Sequence, residues 1–555
     1  MDLNVITELK IMDETVDCIS DLPIFIIHHI MSFLSAKEAA RTSILSKRWR
    51  QFQSSFPIFD FIQHNFRRSE DASRYTLFFL RKNRKFRRSL KRFIRVVDRS
   101  LSRFCELNLS MQKLRIFISV IDLQRSPPLF DKWIRLALEN GLKDLDFEII
   151  SDEENNEVFT YTLPQTIFSA NLLTSLRLGG CKFEQPSYAM SFHSLKELCL
   201  DRIYLNDQMV QKLISECHLL EDLWLENCSG LKFLCICEAH KLKILTIRSE
   251  SIELESINIV VPGLQQLSLR FTLSWGGPRV VDVAACPLLE KLYLTSFKLK
   301  EEEFHNFISK FPLLKDLLLC GCLLLERIKI SSNQLKYLSI KLCENLKAID
   351  VDAPNLLSYS FQRNPFPIIS INSRCPWKKI EFTCRDDLDG CWFLNLKEFL
   401  GLSNQIDDLT LELRLSQSLF NLYELSRCFN SLPVGVGSLM LWMDLSDVSP
   451  SEYEIVLDGI FWICYPRTLC LSTMYEEQHP FIVWLYDYLR NPELKNCNSD
   501  DIKSWRYYLM DAKIESFKQF GGPMLNSDEL NQFMDEWPKF PDGFLRLHLD
   551  WCFSE

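Results

Sequence analysis

The pattern of apolar and polar positions divides the chain into two regimes. Residues 22–34 read LPIFIIHHIMSFL, with only His28, His29 and Ser32 clearly polar. Pro23 suits a helix start, because the N–H it lacks is one of the donors left unpaired there anyway. A helix is therefore predicted from Pro23 to about Leu34. Ser35 followed three residues later by Glu38 has the form of a capping box, which predicts a second helix from Ser35. A third is predicted from near Ser46 and carries Trp49. Three helices this short cannot hide their own apolar surface. Burying one large apolar side chain is worth about 1.5–3 kcal/mol. Leu22, Ile26, Ile27, Ile30 and Leu34 left in water would forfeit much of that, so either the rest of the chain or a partner must cover them.

From Phe104 onward a six-residue theme recurs, apolar-x-x-apolar-x-apolar. It reads LKDLDF at 142–147, LKELCL at 195–200, LEDLWL at 220–225, LQQLSL at 264–269 and LKDLLL at 314–319, with looser copies starting at Phe104, Ile406, Val436 and Pro466. Such a pattern at a period of about 20–29 residues is that of leucine-rich repeats, each adding one parallel strand whose core is completed by its neighbours. Between some strands lies a second copy, as in LKFLCI at 231–236, LESINI at 254–259, LERIKI at 325–330, LKAIDV at 346–351 and FPIISI at 366–371. The convex wall is predicted to be strand there. It is predicted to be helical at 206–217 and 301–311, where the spacing is helical. Cys181, Cys228, Cys322 and Cys343 each stand three residues after the last apolar strand residue, the turn position where such repeats use Asn or Cys to satisfy backbone groups.

The N-terminal segment resembles an F-box. The family pattern I-S-x-L-P-x-x-I-L, then small residues, then T-S-x-L-S-x-x-W-R is met by Ile19-Ser20, Leu22-Pro23, Ile26-Ile27, Ala39-Ala40, Thr42-Ser43, Leu45-Ser46 and Trp49-Arg50. Ile24 departs from it, standing where an acidic residue usually follows Leu-Pro. "RQFQSSFP" departs too, lacking a common Trp. Joined to these repeats, the segment resembles the plant-type F-box/leucine-rich-repeat family. The resemblance implies an α/β fold: a three-helix F-box, then a leucine-rich-repeat solenoid with parallel strands on the concave face and a mixed helix/strand convex face. The expected divisions are an F-box at 17–62, a basic helical connector at 63–103, the solenoid at 104–475 and a C-terminal helical cap region at 476–555. The segment 501–517 reads as an amphipathic helix.

The resemblance also implies a function, that of the substrate-recognition subunit of a Skp-cullin-F-box ubiquitin ligase. Leu22, Pro23, Ile26, Ile27, Ile30, Leu34, Leu45 and Trp49 would bind a Skp-type adaptor and through it a cullin. The solenoid would capture a protein substrate. Two other readings stay open. One is a non-catalytic repeat scaffold whose first helices pack on their own chain. The other is a small-molecule hormone co-receptor, which needs a deep basic pocket.

Within each strand the residues between the Leu positions alternate onto the concave face. Early strands place acids there, including Asp144, Asp146, Glu148, Glu197, Asp201, Asp222 and Glu226. Middle strands place Arg248, Arg270, Lys291, Tyr293, Tyr337, Lys341 and Lys379, with Trp224 at the edge. A late strand adds Met440 and Trp442. Arg and aromatic residues are common interface anchors and Arg pairs well with phosphate. The expected substrate-binding set is therefore Trp224, Arg248, Arg270, Lys291, Tyr293, Tyr337 and Lys341, taking an acidic or phosphorylated segment.

Charge changes the picture at one place. Residues 67–103 hold 14 Lys/Arg against three acids, inside a chain of net charge −9. A solvated helix face is the first reading of this stretch, ahead of a nuclear import signal and nucleic-acid binding. The 20 cysteines include no C-x-x-C pair, and the N-terminus has no apolar leader, so reduced thiols, a cytoplasmic or nuclear location and no membrane partner are expected. No G-x-x-x-x-G-K-[ST], H-E-x-x-H or G-x-S-x-G motif occurs. A non-catalytic subunit without metal or cofactor is the expectation.

Overall fold

A computed structural model describes residues 22–34, 36–42, 44, 47–63, 84–119, 127–150, 161–184, 190–250, 253–274, 277–283, 285–363, 366–384, 390–403, 405–414, 433–444, 453–472, 481, 484–485, 488–489, 505–519, 524–526 and 543–552. Its contacts form two compact units, Met1–Leu242 and Lys243–Glu555.

In the first unit, helices α1 (Ile24–Ser32), α2 (Ala36–Thr42) and α3 (Lys47–Ser55) form the small bundle. Pro23 is the N-cap of α1, and its carbonyl accepts from the Ile26 and Ile27 amides at 2.9 and 3.2 Å. Ser35 lies outside the described residues, and with it the capping box. Ile27, Met31, Ala39, Trp49 and Phe52 close a core, with Leu22, Leu34 and Phe56 half buried against it. Strand β1 (Ile58–Ile62) follows at once and pairs in parallel with β2 (Lys113–Ser119). The parallel sheet therefore begins at Ile58 instead of Phe104. The copy expected at Phe104 is the end of helix α4 (Arg84–Glu106). Phe93, Val97, Leu101 and Phe104 are buried at helical spacing, and that stripe takes precedence over the six-residue pattern. Of the basic stretch, 64–83 lies outside the described residues; the rest is helical as expected.

Helix α5 (Pro127–Glu139) buries Phe130, Trp133, Ile134 and Ala137. Asp98 ties it to α4, accepting from Lys132 Nζ at 2.6 Å and Trp133 Nε1 at 3.2 Å. That Lys132 contact holds the Asp98 carboxyl below its ordinary range. Strands at 144–150, 175–179, 197–201 and 222–226 then add one after another in parallel register. The return after the fourth of these six concave strands is short. That after the fifth contains the expected helix, Asp207–Glu216.

In the second unit ten concave strands run in parallel from Ile244–Ser249 to Cys464–Ser472, each beginning at or near the expected hexad. The doubled hexads are strands of a second wall. Arg327–Ser331, Ala348–Asp352 and Ile368–Asn372 pair in parallel with one another, as do Ser256–Ile259 and Val280–Asp282. The amphipathic helix expected at 501–517 is corrected: of its described residues only Trp505–Tyr508 are helical, and Leu509–Gln519 is a strand, antiparallel to Gly543–Trp551, which is itself antiparallel to Cys464–Ser472. Ala512, Ile514 and Ser516 face in while Asp511, Lys513 and Glu515 face out, a period of two that no helix can satisfy. Arg506 joins this segment to Asp458 and Glu454, both at 2.7 Å.

Strand ends share one device. Gly180, Arg202, Asn227, Ser296, Gly321 and Leu342 each follow a concave strand with φ between 50° and 65°. Amides of Gly180, Arg202, Ser296, Gly321 and Leu342 donate to the last carbonyl of the next strand, at 2.6–3.0 Å. The four turn cysteines are buried. Cys228 Sγ donates to the Leu200 carbonyl at 3.4 Å and Cys343 Sγ to the Lys341 carbonyl at 3.4 Å, the backbone role expected of them. At Gly180 a Cβ would stand 2.0 Å from the Ile149 carbonyl oxygen. Gly180→Ala is expected to cost about 2 kcal/mol or more, read as a lower urea midpoint with an unchanged slope.

Candidate functional site

Two surfaces are left without cover. The first is on the helical bundle. Helix α1 is apolar on nearly every side, so facing α2 and α3 satisfies only part of it. Ile27 is fully buried and Trp49 is 6% exposed, both inside the bundle. The expectation placed them at an adaptor-binding surface; the structure places them in the bundle core, where Met31 and Phe52 pack beside them. Leu22, Ile26 and Leu34 are half buried, Pro23 and Ile30 are exposed, and Leu45 lies outside the described residues. The most exposed large apolar residues of the bundle are ones that pattern matching passed over: Phe25, Phe33 and Ile44 are 70%, 77% and 79% exposed. Their signal was present in the sequence, because a helix with apolar residues all round must present some of them outward. His28 braces α1 on α3, its Nε2 3.3 Å from the Phe52 carbonyl and from Ser55 Oγ. Burial pulls the His28 pKa down.

The second surface is on the concave strands, where one row of charges in each unit is instructive. In the first unit the register sets Asp60, Arg115, Asp146 and Arg177 side by side on successive strands. Signs alternate along this row. Arg115 meets Asp146 at 3.1 Å, Lys113 meets Asp144 at 2.7 Å, and Arg202 meets Glu148 at 2.7 Å. Burial raises the pKa of Asp146 and Glu148, and the arginines offset this. Most of the early acids are thus spent inside the protein.

In the second unit the corresponding row runs Arg248, Arg270, Thr295, Cys320, Lys341. Two arginines stand directly opposite each other, an arrangement that is destabilising by itself. Arg248 has Glu250 at 3.2 Å. Arg270 donates from Nε to Ser268 Oγ at 3.1 Å and has no carboxylate partner among the described residues. Lys341 reaches Glu381 only at 4.0 Å. Between Arg270 and Lys341 the row holds only the short side chains of Thr295 and Cys320, which leaves a gap.

That gap is a cavity of about 470 Å³, lined among others by Arg248, Arg270, Tyr293, Leu318, Cys320 and Lys341. Its charged lining is three cations and one acid, Glu250. Tyr293 is fixed by donating to Asp316 Oδ2 at 2.8 Å. Burial, reinforced by that carboxylate, pushes the Tyr293 phenol up to about 12, so it stays a neutral donor. Burial also raises the Cys320 thiol. Four of the seven expected residues thus meet in one site. Lys291 and Tyr337 are exposed at the starts of their strands, four residues before Thr295 and Lys341, and do not line it. Trp224 is half buried on a strand of the first unit and is not in its lining. Trp442 packs edge-on against Phe544, ring centroids 5.5 Å apart. No group of three His, Cys, Asp or Glu able to hold a metal occurs among the described residues, and none of their helices is long and apolar enough to cross a membrane.

Three family models match the chain. Residues 19–61 match the F-box domain, 130–283 the LRR repeats of FBD-associated F-box protein At5g56370, and 278–416 the LRR domain of At1g61320/AtMIF1. Among similar Arabidopsis thaliana proteins, the putative F-box/LRR-repeat protein At4g00320 is 32% identical over 225 residues, 39% of this chain and 41% of its own length. The F-box/LRR-repeat protein At3g59190 is 30% identical over 271 residues, 48% of this chain and 64% of its own length. The F-box/FBD/LRR-repeat protein At1g13570 is 31% identical over 222 residues, 40% of this chain and 46% of its own length. The chain thus spans about half the length of the relatives it matches, and the cavity residues lie within the two repeat matches.

The charge rows make opposite predictions for stability. Arg270→Gln removes a like-charge neighbour and is expected to stabilise the free protein by a few tenths of a kcal/mol. Arg115→Gln removes the 3.1 Å ion pair to Asp146 and leaves only the more distant charge of Arg177 beside it, and is expected to cost about 0.5–1 kcal/mol. Urea titrations at low salt read both, and both effects should shrink in roughly 1 M NaCl.

Proposed function

We propose that this chain, whose residues match the F-box domain at 19–61 and leucine-rich-repeat models at 130–283 and 278–416, is the substrate-recognition subunit of a Skp-cullin-F-box ubiquitin ligase. The observation that carries this reading is the split of the first helix. One side closes the bundle through Ile27 and Met31, while Phe25 on α1, Phe33 at its end and Ile44 after α2 stand in water. Several large apolar side chains left exposed on so small a unit point to a protein interaction site. A Skp-type adaptor is the partner an F-box implies, and through it a cullin. The repeats then present the concave strands to a protein substrate. The chain's own contribution is non-catalytic: it raises the concentration of substrate beside a conjugating enzyme.

A scaffold whose first helices pack onto their own chain would bury those three residues, and they are open. The co-receptor reading gains from the cationic cavity, and ligand-dependent thermal stabilisation would support it. The cavity's mixed lining and its setting among exposed strand residues suit a protein segment better.

Co-expression with a Skp-type adaptor tests the proposal. Wild type is expected to co-purify with it stoichiometrically. Phe25→Ala/Phe33→Ala should lose most of the adaptor and keep its thermal midpoint. Ile27→Ala, by contrast, should lower bundle stability by about 2–4 kcal/mol. A wild-type chain that stays free of adaptor, or a double variant that binds as well as wild type, would refute the assignment.

A further inference from the structure

We propose that the concave cavity of the second unit is a phosphate-recognition site, and that the substrate segment it takes is an extended peptide carrying phosphoserine or phosphothreonine. This rests on the substrate-capture reading above and narrows it to one chemistry.

The first argument is the opposed pair of arginines. Among the described residues, the other arginines that a neighbouring concave strand sets beside a charged residue face acids: Arg115 lies between Asp60 and Asp146, Arg177 beside Asp146, and Arg414 opposite Asp444. Arg248 faces Arg270. Adjacent like charges raise the energy of the empty protein, and a bound anion relieves that cost. The second argument is the shape between the cations. Thr295 and Cys320 form a low floor, with Arg270 on one side and Lys341 on the other. Three strand spacings separate those two residues, about 14 Å between backbones. Two long side chains leaning inward close on a group the size of a phosphate. The third is donor supply. Ser268 holds the Arg270 Nε, which orients the guanidinium and leaves its two Nη groups for a ligand. The Thr295 hydroxyl adds a donor from the floor.

A phosphate monoester suits this set better than a carboxylate. It carries close to two charges at neutral pH and three acceptor oxygens, against a lining of three cations and one acid. Forked pairing to a tetrahedral group is what arginine does best. The volume of about 470 Å³ exceeds what a phosphate needs, so neighbouring peptide residues enter too, with Leu318 and Phe271 offering them apolar contact. A protein source, as opposed to a free small anion, follows from that remaining volume and from the open strand surface around it.

The test uses the full chain co-expressed with a Skp-type adaptor and three immobilised degenerate peptide libraries, with a fixed central phosphoserine, glutamate or serine. The phosphoserine library should retain the protein about tenfold more than either of the others. Arg270→Gln should abolish that preference, Lys341→Gln should reduce it, and Lys329→Gln, on the other wall of the repeats, should leave it intact. Inorganic phosphate should compete only weakly. Equal retention on serine or glutamate, or an unaltered preference in Arg270→Gln, would overturn the proposal. So would inorganic phosphate that displaces the library at concentrations where it binds alone, because that places a free anion in the cavity. Adaptor co-purification is read in the same samples. Loss of adaptor with phosphoserine preference intact would remove the ligase assignment and keep the site.

Discussion

Everything in this protein depends on the in-register stacking of parallel strands. Each repeat supplies a strand whose Leu-type residues point inward, such as Leu267 and Leu269 or Leu292 and Leu294, all fully buried. No repeat can bury these alone, so the register is set by the need to align one apolar set on the next. Alignment of the core fixes the other face as well. It lines up Arg248, Arg270, Thr295, Cys320 and Lys341 into a row whether or not their charges agree. The core supplies the energy by which the repeats hold two arginines side by side. The left-handed residue after each strand closes the same ladder, which is why Leu342 is held at φ 53° despite its side chain.

The helical bundle works by division of labour on one helix. Ile27 and Met31 give α1 its place, and Phe25 and Phe33 stay exposed, as the proposed partner surface requires. This separates stability from binding. Substitution on the inner side acts through folding, and substitution on the outer side acts through association. The concave face shows the same separation. Arg115 and Asp146 form an ion pair within the first unit, whereas Arg270 stands opposite a second arginine, which favours the proposed role in holding an anion.

Much of this was legible in the sequence. The hexads locate nearly every strand, because a strict spacing of inward leucines admits one placement. The doubled hexads foretold the second strand wall, and the helical spacing at 206–217 and 301–311 foretold the helices. Errors arose where two periods compete. Phe104 fits both a hexad and the stripe Phe93, Val97, Leu101, and the helix prevails. Residues 511–516 alternate in burial, yet the segment 501–517 as a whole read as an amphipathic helix. Ile27 and Trp49 matched a family pattern that does not say whether a residue contacts the partner or supports the ones that do. Alternation identified Arg248, Arg270, Tyr293 and Lys341 as concave. It could not show that Thr295 and Cys320 leave a cavity between them, because that depends on cross-strand register.

The most direct measurement is hydrogen exchange on the full chain with and without a Skp-type adaptor. The account predicts new protection in residues 24–34 and around Ile44, with the concave strands from 244 to 341 exchanging as before. Protection that is absent from α1, or that appears on the concave strands instead, would contradict it.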